Sequence, residues 1–193
     1  MQLTVPIQTL TCSNVHILPP HKYQKPMAPL SYKDDDIVLP SLSILLPALP
    51  IKSYDAETGK LSLSLAAHPQ LLAKLQALQV KILQAVYANY TTWFPSEQSR
   101  DIDETNNSFQ PLIFNNCIHL YCPLVTVGSF NEIGLFSDNT WSKGIIPSSL
   151  FIPGKTIRIG VRLQGVSFHQ HPLTKKLTGR SRVQHRILVI YKC

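Results

Sequence analysis

Residues 155–193 read KTIRIGVRLQGVSFHQHPLTKKLTGRSRVQHRILVIYKC, a segment with nine Lys and Arg, three His and no acidic residue. Its apolar residues alternate. Ile157, Ile159, Val161 and Leu163 take one face of a strand, and Arg158, Gly160, Arg162 and Gln164 take the other. The phase breaks at Gly165, after which Val166 and Phe168 hold the apolar parity. A glycine at such a break predicts a β-bulge or a sharp bend. Small closed barrels use these bends to let one strand serve two parts of a sheet. The second strand places Val183, His185, Ile187, Val189 and Tyr191 on one face, with Arg182, Gln184 and Arg186 on the other. Each strand therefore offers Arg-x-x-x-Arg on one side, its two arginines about 13 Å apart at a rise of ~3.3 Å per residue. Between the strands, HPLTKKLTGRS adds Lys175, Lys176 and Arg180, with Gly179 at a bend.

The asymmetry of charge extends beyond the hairpin. Net charge is +7, and all eleven acidic residues lie between Asp34 and Asp138. From Asn139 onward there are ten basic residues, Lys143 among them, and no acid. Like charges repel, so a segment of this kind points to an anionic partner. Neutralising phosphates releases counterions, and such binding is steeply salt-dependent. Single-strand binders also offer rings on which bases stack. The candidates are Trp141, beside Lys143 in TWSKG, together with Phe130, Phe136 and Phe168; of these, Phe168 alternates with core residues.

The rest of the chain reads as support for this hairpin. A length of 193 residues suits one domain, and 44% hydrophobic residues suffice for a core. Fifteen Pro against eight Gly argue against a mostly helical chain. Residues 1–38 read as an extended N-terminal arm and residues 39–193 as a single β-barrel-like domain. The Asp34–Asp36 triplet reads as a solvated loop rather than a metal site. LPIKSY and KLSLSL alternate as two strands joined by DAETGK, where Gly59 can adopt the positive φ of the turn. An amphipathic helix starts at Pro69 with Leu71, Leu75, Leu78, Ile82 and Val86 on one stripe, and ends before TTWFP. SEQSRDIDETNNS reads as a polar loop. Strands resume in FQPLIFNNCIHLYCPLVTV and EIGLFS, and DNTWSKGIIPSSLFIPG reads as a loop.

Several classes are excluded by what the residues lack. Cys12, Cys117, Cys122 and Cys193 form no C-x-x-C pair and no disulfide framework, so free thiols in a reducing compartment, cytoplasm or nucleus, are expected. The N-terminus has neither a basic n-region nor a continuous apolar core, so secretion is not expected. Nothing approaches the roughly 18 apolar residues of a membrane span. His169, His171 and His185 lack finger spacing, and no P-loop, G-x-G-x-x-G, G-x-S-x-G or H-E-x-x-H occurs. The expectation is a protein without cofactor, metal or enzymatic activity.

The order of hairpin, strands, helix and closing basic hairpin, with its bend glycine, resembles OB-fold single-stranded DNA-binding proteins. PGKTIRIGVRLQGVSFHQHPLTKKLTGRSRVQHRILVIY is similar to the closing segment of small replication-associated proteins of DNA viruses and mobile elements, a likeness confined to residues 139–193. It implies a sheet face that binds single strands, with Arg158, Arg162, Arg182 and Arg186 at the groove. The acidic tail by which many such proteins recruit partners is missing, since this chain ends in IYKC. The expected fold is thus a mainly β, antiparallel, OB-like barrel with one amphipathic helix. Single-stranded nucleic acid is the expected partner, bound by Arg158, Arg162, Gln164, Lys175, Lys176, Arg180, Arg182, Arg186, Lys143 and Trp141. A homo-oligomer is compatible with this reading. The alternatives are a viral shell protein of jelly-roll or matrix-like type, whose basic face meets packaged nucleic acid, and an adaptor whose hairpin docks on an acidic protein.

Overall fold

The computed structural model describes residues 4–20, 26–97, 100–126, 128 and 132–193. Along the chain run β1 (Val5–Pro6), β2 (Val15–Ile17), β3 (Met27–Asp34), β4 (Ile37–Leu39), β5 (Leu42–Asp55) and β6 (Lys60–Ser64). The helices α1 (Pro69–Trp93) and α2 (Ile102–Ser108) follow. Then come β7 (Phe109–Gln110), β8 (Ile113–Phe114), β9 (Cys117–Tyr121), β10 (Gly134–Ser137), β11 (Thr140–Lys143), β12 (Thr156–Gln170) and β13 (Leu177–Lys192). The protein is mainly β.

The spine is the hairpin of β12 and β13. Ile157, Ile159, Val161 and Leu163 are all buried, as the alternation predicts. The register slips between Leu163 and Gly165, which leaves Gln164 as the extra residue of a bulge. At that point β12 changes neighbours. Up to Leu163 it pairs with β5, and from Gly165 it pairs with β3. The glycine is needed because β3 crosses so closely: a Cβ there would strike the Ala28 carbonyl and lie 2.9 Å from the Pro29 Cα. Beyond the bend Val166 and Phe168 return to the core, as expected.

The sheet does not close into a barrel. Its main path is β11-β10-β13-β12-β5-β6-β9-β8, and among the described residues no pairing joins β11 to β8. It is also mixed rather than antiparallel throughout, because β1 runs parallel to β5 and both β7 and β10 run parallel to β13. β10 and β11 thus extend the sheet past β13, and β11 ends it as an exposed edge. DNTWSKG, read as loop, supplies that edge strand through the turn at Asp138 and Asn139, both at positive φ. SEQSRDIDETNNS contains a second helix, α2, whose N-cap Asp101 accepts the Glu104 amide at 2.6 Å. The described part of the expected arm is tied into the sheet and core: β1 pairs with β5, β3 pairs with β12, and Ile7, Leu10, Val15, Leu30 and Tyr32 are buried.

The β5–β6 hairpin forms as expected, with Gly59 at φ +67° in its turn. α1 packs Leu75, Leu78, Ile82, Val86 and Tyr90 into the core that the sheet's inner face builds. Burying each such aliphatic side chain is worth about 1.5–3 kcal/mol relative to leaving it exposed. The helix also ties down the N-terminal segment: Lys74 donates to the Gln8 carbonyl, and Lys81 donates to those of Cys12 and Ser13. At its C-terminal end Trp93 and Phe94 pack edge-on against Phe168.

Candidate nucleic-acid interface

One face of the sheet is core, and the other carries most of the expected site. Residues paired across strands share a face, so the register sets the order of side chains. One cross-strand row runs Trp141, Phe136, Tyr191, Arg158 and Ala48, from β11 to β5. The next row runs Lys143, Gly134, Val189, Gly160 and Leu45. A third places Arg186, Arg162 and Ser43 side by side. Adjacent strands lie about 4.8 Å apart, so successive rings in the first row are near neighbours. The Phe136 and Tyr191 rings have centroids 5.9 Å apart. Trp141, 53% exposed, folds over Gly134, where any Cβ would collide with its indole.

Val189 and Tyr191 are the β13 residues whose placement differs from the sequence reading. Alternation assigns Val189 and Tyr191 to the core, but a second bulge intervenes. Gly160 pairs with Val189 and Val161 with Ile187, so Leu188 is inserted and the parity of β13 flips. Ile190 takes the core position instead and is fully buried. Tyr191 is carried to the arginine face, between Phe136 and Arg158.

The electrostatics favour an anion on this face. Arg158 and Arg182 are exposed, whereas Arg162, Arg186 and Gln164 are half-buried. Arg162 lies directly across from Arg186, and its Nε is 3.5 Å from the Ser43 hydroxyl. Burial, and then the neighbouring Arg162 charge, hold the Arg186 pKa below its ordinary value. The Arg186 Nε is buried without a hydrogen-bond partner among the described residues. The Arg162 guanidinium raises the cost of charge on Arg186, and a phosphate laid beside Arg186 lowers it. Among the described residues the one ion pair is Lys192 with Asp138, at 3.1 Å on the exposed sheet edge.

The tip residues stand apart. Lys176 and Arg180 line an open cleft of about 1140 Å³ with Arg100, Glu97, Glu104 and Gln110. Lys175 is exposed in the tip turn at φ +58°. The ten expected residues therefore divide: seven share the sheet face, and the three at the tip lie at or beside this cleft. Phe168 is buried against Tyr90, Trp93 and Phe94 and offers no ring to a ligand. Phe130 lies outside the described residues. Arg100 and Tyr191 are the additions. An arginine beside an aspartate in a polar run gave no sign of the former, and an unbroken apolar run hid the latter.

His185 faces inward. Its Nε2 accepts the Tyr121 amide at 2.8 Å, which requires the neutral ring. Burial lowers its pKa, Arg182 adds to that, and the Val183 carbonyl opposes it. The folded state therefore binds this proton less readily than the unfolded chain, so stability falls as pH drops below about 6.5. Melting temperatures measured from pH 8 to pH 5 are expected to decline across this window. In His185→Gln the decline is shallower; an unchanged slope would show that other groups set it.

Among the described residues no three His, Cys, Asp or Glu side chains group to hold a metal ion. All four cysteines are free; Cys117 and Cys122 are buried, and burial raises the Cys122 thiol to a pKa of about 12. No helix among the described residues is long and apolar enough to cross a membrane. No protein-family model, curated protein or solved structure matches this chain.

Proposed function

We propose that the chain binds single-stranded nucleic acid, DNA before RNA, without catalysing a reaction on it. The observation that carries this reading is the row Trp141, Phe136, Tyr191 and Arg158 beside the Arg162–Arg186 pair. Rings accept any base by stacking, while guanidiniums accept phosphates bidentately. A duplex keeps its bases stacked on one another and offers only its backbone, so the aromatic row adds nothing to duplex binding. Such a protein acts in replication or recombination, inside a reducing compartment where its four thiols stay free.

The test is a titration against fluorescent oligo-dT and a duplex of equal length over a salt series. Tighter binding to the single strand, a steep salt slope and quenched tryptophan are the expected results. Equal binding to both forms replaces this reading with that of a packaging protein. Binding to neither leaves the basic face to an acidic protein partner.

Trp141→Ala sharpens the test. The chain has two tryptophans, and the other, Trp93, packs against Phe168. Losing one stacking ring is worth about 1–3 kcal/mol, or ~5- to 150-fold in affinity. Trp141→Ala is expected to lose both that affinity and the fluorescence quenching, while its melting temperature stays near wild type because Trp141 is exposed. Full quenching in the variant would place the contact near Trp93 instead.

A further inference from the structure

The cleft at the hairpin tip is polar, open and built around a fixed cation. Arg100 Nη1 donates to the Gly179 carbonyl at 2.9 Å, and the guanidinium stacks 4.9 Å from the Tyr90 ring centroid. Gly179 has no room for a Cβ because Arg100 occupies that space. The arginine is thereby held in place before any ligand arrives. Around it stand Lys176 and Arg180, which have no acidic partner among the described residues, together with the carboxylates Glu97 and Glu104.

The cleft is continuous with the sheet face. Gln110 lines the cleft and pairs in register with Arg182. Arg182 shares the face parity of Gln184 and Arg186 on β13, so the track runs Arg158, Arg162 and Arg186, Arg182, Gln110, and then the cleft. From Arg158 to Ser167, which sits opposite Arg182, the sheet covers nine residue steps, about 30 Å at a rise of ~3.3 Å per residue.

Three cations with two carboxylates do not make a bare phosphate trap. They suit a nucleotide, because a carboxylate accepts from the exocyclic amine of a base such as cytosine while Lys and Arg hold the phosphate. Thymine has no such amine.

Resting on the reading of the face given above, we propose that this cleft seats one nucleotide of the same bound strand. Lys176 and Arg180 hold its phosphate, and Glu97 or Glu104 accepts the exocyclic amine of its base. A strand too short to reach from the rings to the tip occupies the face alone.

The experiment compares oligo-dC of about 4 and about 16 nucleotides, the range of single-strand site sizes per OB domain, on wild type and on Lys176→Ala with Arg180→Ala. Both substitutions are on exposed side chains, and circular dichroism and melting temperature confirm the fold. Wild type is expected to favour the long strand. The double variant should bind the short strand as wild type does but the long one about tenfold more weakly, with a salt slope shallower by about 0.7 for the one phosphate no longer neutralised. Wild type should also bind long oligo-dC more tightly than long oligo-dT, and Glu97→Gln with Glu104→Gln should narrow that gap. An unchanged long-strand affinity in the Lys176 and Arg180 variant overturns the proposal, as does equal loss for both lengths. Equal affinity of wild type for dC and dT overturns the role given to the carboxylates. A wild type that binds neither length sinks the reading of the face itself and this inference with it.

Discussion

Arg158→Glu combined with Arg186→Glu is expected to abolish single-strand binding. Charge-assisted hydrogen bonds of this type contribute about 1.5–3 kcal/mol each. Two lost contacts weaken binding by at least about a hundredfold, since 1.4 kcal/mol is about tenfold. Reversing the charge adds repulsion to the loss. The fold is expected to survive for a specific reason. Arg186 lies across from Arg162, so a glutamate at 186 turns a repulsive pair into an attractive one, and Arg158 is exposed. Lys33→Glu with Lys52→Glu changes net charge by the same amount at exposed sites outside the rows, and should weaken binding only through the long-range field. Binding isotherms at two salt concentrations decide the matter. If both double variants lose affinity equally, net charge alone is at work and the rows have no special part.

Gly165→Val is expected to be the most damaging single substitution. A valine suits a strand, and its side chain would be welcome at most positions of β12. Here it would drive into the backbone of β3 at Ala28 and Pro29. Backbone cannot swing aside as a side-chain tip can, so β3 must separate from β12. The loss is about 3 kcal/mol or more, a large part of a typical total stability. For a chain of this size that lowers the melting temperature by about 6–12 °C. Gln164→Ala, one residue away at the half-buried bulge position, should stay close to wild type. A stable Gly165→Val protein would mean that β3 is not held where it crosses the bend.

What could be seen in the sequence was local in origin. The β12 alternation, the bend at Gly165, the α1 stripe and the β5–β6 turn each follow from side-chain period or from one residue's steric limits, and each is found where expected. Closure was different, because it depends on which distant edges meet. Nothing in β10 or in TWSKG announces that β10 will run parallel to β13 and leave β11 as an edge. α2 did carry a signal, Asp101 three residues before Glu104, which acid-rich surroundings obscured. The site was legible as a set of arginines but not as a geometry. ILVIY contains no polar residue to mark a change of parity, so the ring that completes the aromatic row was assigned to the interior.

That change of parity has a consequence for how the protein tolerates alteration. Leu188 works as a phase shifter. Deleting it would close the bulge and keep Ile187 and Ile190 inward with Tyr191 outward, because Val189 already sits opposite Gly160 and Ile187 opposite Val161. A deletion scan along β13 should therefore find this the most tolerant position, with Tyr191→Phe or Tyr191→Trp also passing with the fold intact. The wet side and the dry side of this strand are written in a count of residues, not in their chemistry.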